Sequence, residues 1–379
     1  MTRSILSRRS VLLGAGAAAL TLPMSWAHAA RWSGYRDAIV IDGLGGPGSL
    51  TSEPGAPLGE PELKDVRDSG LAAVLVTIGP VGTSEPDAAF KDAVRSMLDF
   101  DREIARHPDT FASVRTVADI VAAKKARRTG LIYGVQDGVA FETDLNLLED
   151  LQQLGLRVVQ PTYNRRNLLG DGCMEPANAG LSRTGIEAIE RLNALGILVD
   201  LSHCGRQTSA DAIRVSKRPV AFTHTGCAAL ADHPRHRTDE ELRAVADKGG
   251  VSGVFIMPYL SGGKQPTAAD VIRHLEHIIN VAGEEHASIG TDGTISPALL
   301  DQKYKDAFAE TTRKRKAAGI AAPGETEEGY LFASDLNTPR RLETLGQLLA
   351  DKGHSATRIE KVLGRNLMRV YGEAWAVKA

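Results

Sequence analysis

The chain has 379 residues, a formal net charge of −2 and 42% hydrophobic residues. That length buries a large core, and a charge near zero excludes partners held by bulk electrostatics, such as nucleic acid or an anionic membrane surface. Three cysteines, Cys173, Cys204 and Cys227, exclude a disulfide scaffold and leave at least one free thiol.

The chain opens with Arg8-Arg9, an apolar run from Val11 to Leu22 and the small-x-small triplet Ala27-His28-Ala29. This pattern predicts a twin-arginine signal peptide over residues 1–29 and a mature domain over 30–379. The run is too short for a membrane span. The expected location is the periplasm or the medium, with export through the twin-arginine route.

Strands then alternate with helices. Apolar runs predict strands at Ala38–Ile41, Leu71–Ile78, Leu131–Val135, Arg157–Gln160, Ile197–Val199, Val220–Phe222, Val251–Ile256 and Ala287–Ile289. Helical periodicity predicts segments at Ala88–Arg106, Thr116–Ala126, Asn146–Leu154, Gly185–Leu195, Ser209–Val215, Asp239–Asp247 and Ala268–Ala282. Arg341–Leu349 and Ala356–Val370 are expected to close the fold from outside. Regular alternation argues for a parallel sheet, and eight units argue for a (β/α)8 TIM barrel. An open doubly wound sheet is the alternative. The first strand lacks a dinucleotide fingerprint, because Gly43-Leu44-Gly45-Gly46-Pro47 runs into a polar loop.

In a barrel, the carboxyl ends of the strands converge on one face. There the sequence places Asp42, Gln136, Asp137, Tyr163, Asn164, His203, His224 and Asp292. Two histidines at matched positions on consecutive strands suit a divalent metal, and a nearby carboxylate suits proton transfer to and from water.

The motifs DLSH, PVAFTHT, ADHPRHRTDEEL, IGTDG, GLRVVQPTYNRRN and GRNLMRVYG together resemble the membrane (renal-type) dipeptidases, peptidase family M19. The resemblance covers almost the whole mature chain. It implies an amidohydrolase-like barrel, a two-zinc site and cleavage of small dipeptides. It also implies His203 and His224 as metal ligands, Arg235 as the clamp on the substrate carboxylate and Asp292 as the catalytic aspartate. Family members are often dimers, which makes a homodimer an expectation by analogy.

The departures from that pattern are specific. The family's H-x-D pair is replaced by Leu44 and Gly46, its bridging glutamate by Gln136 and a substrate-binding histidine by Tyr163. A standard two-zinc centre is therefore not expected, and one Zn2+ per chain is expected in preference to two. Gln136, Cys173 and Glu175 are candidate replacement ligands, while Tyr163 and Asn164 are candidate substrate contacts. The expected activity is a metal-dependent dipeptidase-type hydrolysis of a small amide with a free carboxylate. The alternatives are a mononuclear or metal-free tailoring enzyme or lyase, or a catalytically weakened binding protein on the same barrel.

Overall fold

The computed structural model describes residues 32–376 apart from 53, 54 and 84. The predicted signal peptide lies outside the described residues. One unit begins at Trp32.

Eight strands follow one another in a single parallel sheet. They are β1 (Ile41–Asp42), β2 (Ala73–Thr77), β3 (Thr129–Val135), β4 (Leu156–Val159), β5 (Leu198–Asp200), β6 (Val220–Cys227), β7 (Val251–Val254) and β8 (Ala287–Ile289). Sheet order equals chain order, and every pairing along this path is parallel. An open doubly wound sheet would reverse its order at a switch point, so the barrel reading holds.

The seam between β8 and β1 is closed by a few bonds. Gly43 N donates to Ile289 O at 2.9 Å, and Asp292 N donates to Leu44 O at 2.8 Å. Above them Gly45–Gly46 pairs in parallel with Gly293–Thr294. Asp42 ties the two strand ends together. Its buried carboxylate accepts from Thr291 N at 2.8 Å, Thr291 Oγ1 at 2.6 Å and Leu44 N at 3.3 Å. Burial, partly offset by these bonds, raises its pKa to about 6. Asp42→Ala strands two buried N–H groups and is expected to cost about 3 kcal/mol, read as a lower midpoint in urea unfolding.

Close approach inside the barrel is met by glycine. A Cβ at Gly253 or Gly290 would lie 2.1 Å from Thr223 O. These two glycines let β7 and β8 close around the middle of β6, immediately before His224.

The helices pack outside. Those following β6 and β7, at Asp239–Asp247 and Ala268–Ala282, have the predicted bounds. Each starts with a capping box, Thr238 with Glu241 and Thr267 with Asp270. Four expectations are corrected. The first strand is Ile41–Asp42 rather than Ala38–Ile41, because its ladder begins only at Val40, whose carbonyl accepts from Ala72 N at 2.7 Å. The helix expected at Ser209–Val215 starts at Arg206 behind Gly205. Thr208, inside it, spends its hydroxyl on Asp171 O at 2.8 Å. The segment expected as one helix over Ala356–Val370 widens at Lys361–Arg365, and its last part runs to Trp375. At Gly364 a Cβ would lie 2.1 Å from Ile39 O, so the widening lets the chain before β1 pass close by. A long helix at Gln302–Ala317 was not expected. Its cues were available: Asp301 caps it through Tyr304 N at 2.9 Å, and Tyr304 and Phe308 are its buried i, i+4 pair.

Candidate active site at the barrel mouth

His203 follows β5 and His224 lies within β6. Both are buried, with ring centroids 5.1 Å apart. The segment around His203 is pinned from below by Arg237. This fully buried arginine donates to Leu201 O at 2.9 Å, Ser202 O at 2.8 Å and Cys204 O at 3.0 Å, and lies 4.6 Å over the Phe222 ring. Sequence reasoning singled out Arg235 in the same HPRHR stretch and missed Arg237. A cation two residues along an irregular segment gives no sign of facing inward.

Each imidazole is oriented through Nδ1. Asn164 Nδ2 donates to Ile320 O at 2.8 Å, which turns its Oδ1 toward His203 Nδ1 at 2.6 Å. The ring therefore donates Nδ1–H, and Nε2 keeps its lone pair. Thr223 Oγ1 donates to Asp200 Oδ2 at 2.5 Å and so accepts from His224 Nδ1 at 2.9 Å. Asp200 is buried and also accepts from Ser202 Oγ at 2.5 Å and Gln160 Nε2 at 2.8 Å. Among the described residues, His224 Nε2 is buried without a hydrogen-bond partner. Burial, reinforced by the Arg235 charge, holds both imidazoles well below their usual pKa, so both are neutral at pH 7.

Arg235 is buried. Its Nε donates to Ser202 O at 3.2 Å and its Nη2 to His224 O at 3.3 Å, with Phe255 under the guanidinium at 5.7 Å. That leaves the outer edge, Nη1 with the second Nη2–H, for a ligand. Its charge reaches Asp292, Tyr163 and both histidines. Asp292 follows β8 with a φ of 54°, a left-handed conformation unusual outside glycine and costing on the order of 1 kcal/mol. Burial lifts its pKa to about 6 against the opposing charges of Arg235 and Arg315.

The candidates Tyr163 and Asn164 both lie against His203. The Tyr163 ring stacks on His203 at 4.0 Å, and its hydroxyl accepts from Arg315 Nη1 at 3.0 Å. Asn164 is fully buried and occupied at both ends of its amide, so it orients His203. Arg315, from the unforeseen helix at Gln302–Ala317, binds Glu325 through Nε at 2.7 Å and Nη2 at 2.8 Å. Glu325 also accepts from Tyr259 Oη at 2.9 Å. No sequence cue joined these residues to the barrel mouth, since more than a hundred and fifty positions separate Arg315 from Tyr163.

Of the candidate replacement ligands, Cys173 and Glu175 do not join the histidines in a cluster of three metal-binding groups among the described residues. Cys173 donates its thiol to Asn164 Oδ1 at 3.3 Å, and burial raises its pKa, which keeps it protonated. Glu175 sits in a turn, where its charge acts on Arg166. Gln136 Nε2 donates to Thr77 Oγ1 at 2.7 Å, while its Oε1 has no partner. Among the described residues, no set of three or more His, Cys, Asp or Glu is arranged to hold a metal ion. The groups left to carry an ion are the two imidazoles, since both rings are neutral and each keeps an Nε2 lone pair.

Comparison with known proteins identifies the architecture. Residues 51–322 match the family described as membrane dipeptidase (Peptidase family M19). The chain is similar to an amidohydrolase from Pseudomonas aeruginosa, with a TM-score of 0.76 and 32% identity, covering 90% of this chain and 98% of that one. A metallo peptidase from Rhodobacter sphaeroides, solved with a phosphinate mimic of the dipeptide L-Ala-D-Ala, has the same fold at a TM-score of 0.71 and 19% identity, covering 89% and 100%. Dipeptidase verJ of Clonostachys rogersoniana is 30% identical over 191 residues, 50% of this chain. That match spans about half the relative's length, 49%.

Proposed function

The chain belongs to the membrane dipeptidase family, peptidase family M19, and from that premise we propose that it is a metal-dependent hydrolase of dipeptidase type. Its substrate is a small dipeptide or related amide with a free carboxylate. The observation that carries the reading is the pair of neutral imidazoles, His203 and His224, each donating Nδ1–H and keeping an Nε2 lone pair beside Arg235 and Asp292.

His203 and His224 would hold one Zn2+, which when bound polarises an amide carbonyl and acidifies water. The remaining work falls to the chain's own groups. Arg235 binds the substrate carboxylate with the outer edge of its guanidinium, in a charge-assisted and geometrically specific contact. Its buried stem and its bonds to Ser202 O and His224 O fix that edge. Asp292 is ionised above a pH of about 6 and accepts the proton of the attacking water. It then returns that proton to the leaving nitrogen. Tyr163, held by Arg315, keeps the His203 ring in place by stacking. Asn164 and Thr223 fix the ring tautomers.

The test is metal content per chain after purification without chelator, together with amine release from dipeptides. One ion per chain is expected, lost in His224→Ala together with turnover. Two ions per chain, or full turnover in His224→Ala, would overturn the single-ion assignment.

We also propose that the mature chain works in the periplasm or outside the cell. Support comes from Arg8-Arg9 and the apolar run to Leu22. Among the described residues no helix is long and apolar enough to cross a membrane. Replacing Arg8-Arg9 by a lysine pair is expected to leave the protein in the cytoplasm.

A further inference from the structure

At Leu44 and Gly46, where the loop after β1 carries no polar side chain, a cavity of about 320 Å3 opens. Its walls are largely apolar and include Leu44, Leu50, Val76, Phe100 and Phe332. A Cβ at Gly46 would meet nothing within 4 Å, so this stretch faces open space. Asp292 lines the same cavity, which places it directly beside the reacting end of the site.

The polar groups on these walls are mostly engaged within the protein. Arg341 donates through Nε to Thr338 O at 2.9 Å and through Nη1 to Thr294 O at 2.7 Å. The Asn337 amide is bonded at both ends to the Ala298 backbone, at 2.8 and 2.9 Å. Thr77 Oγ1 accepts from Gln136. Ser296 Oγ is buried without a partner, a single neutral hydroxyl.

A dipeptide's free ammonium would be poorly received here. It would face the Arg341 guanidinium on the cavity wall. Among the described residues lining the cavity, Asp292 is the one anionic group, and that carboxylate already lies in the fields of Arg235 and Arg315. An ammonium bound to Asp292 would also occupy the group that moves the proton. An uncharged hydrocarbon chain meets none of these penalties, and it gains by leaving water.

We infer that this cavity takes the apolar acyl half of an N-acyl amino acid, so that the preferred substrate has a carboxylate on the Arg235 side and no free ammonium. The inference rests on the proposed hydrolase reading for the position of the carboxylate.

Affinity and turnover are measured separately. Binding of N-acetyl-, N-butanoyl-, N-hexanoyl- and N-octanoyl-alanine, in both enantiomers, is followed by calorimetry alongside Ala-Ala dipeptides. Release of alanine is followed in parallel. Burial of each methylene is expected to tighten binding about fourfold until the cavity is filled. Gly46→Met, which adds a side chain where the cavity lining has open space, is expected to flatten that series at the longer chains, with its fold checked by circular dichroism. A series flat from acetyl to octanoyl in the unmodified chain, or dipeptides binding tighter than their acyl counterparts, would overturn the inference. Chain-length-dependent binding without alanine release would support the acyl cavity and overturn the proposed hydrolysis. Dipeptide cleavage with no chain-length effect would do the reverse.

Discussion

Asp292→Asn is expected to lower kcat about a thousandfold, within the range that a positioned acid–base group contributes, with little change in substrate affinity. Asparagine nearly matches aspartate in shape and tolerates the left-handed backbone, so the φ of 54° at this position does not cause misfolding. The pH profile provides the more specific reading. Burial raises the Asp292 pKa to about 6, so the carboxylate is protonated and inactive as a base below that value and ionised above it. kcat/KM in the parent protein should therefore rise with pH through about 6, and this limb should vanish in Asp292→Asn. A parent profile flat from pH 5 to 7 would remove Asp292 from the proton path. An intact limb in the variant would assign the titration to another group.

Arg235→Lys is expected to reduce kcat/KM about a hundredfold, roughly 2.7 kcal/mol, for substrates with a free carboxylate. Lysine keeps the charge but loses the planar edge that pairs with a carboxylate. It also gives up the bonds to Ser202 O and His224 O, which fix the guanidinium beside the imidazoles. The loss should lie mainly in KM. The matched control is a substrate whose carboxylate is replaced by a carboxamide. The parent protein should use it poorly, and Arg235→Lys should change its turnover little. An equal loss on both substrates would mean that Arg235 acts on the scaffold around Ser202 and His224 and not on the substrate. Thermal unfolding of the variant separates that outcome from simple destabilisation.

The two predictions probe opposite ends of one electrostatic arrangement. Arg235 depresses the pKa of both imidazoles and opposes the rise at Asp292. A bound carboxylate would offset part of this positive field. The cavity beside Leu44 adds an apolar compartment next to the charged one, and together they define a substrate that is anionic at one end and apolar at the other.

Much of the fold was legible from the sequence because periodicity and β-branching are local properties. The apolar runs at Ala287–Ile289 and Val220–Phe222 read as strands and the periodic segment Asp239–Asp247 reads as a helix, and each lies in that element. His203, His224 and Asp292 were legible for a related reason: a residue at the carboxyl end of a barrel strand is placed by the strand itself. The lack of a metal-ligating side chain at Leu44 and Gly46, and of a carboxylate at Gln136, was equally plain, since it depends on side-chain identity alone.

What only the tertiary structure decided were the contacts made across long separations. Asn164 looked like a substrate contact until its amide was found between Ile320 O and His203. Cys173 and Glu175 looked like replacement ligands until the loop placed the thiol against Asn164 and the carboxylate near Arg166. Arg315 and Arg237 carried no local mark of burial, because a long cationic side chain reads the same whether it lies in solvent or reaches inward to carbonyls. The cavity at Gly46 also belongs to this second class. A missing side chain is visible in sequence, but whether its space is refilled depends on Val76, Phe100 and Phe332, which the barrel and its outer segments bring together.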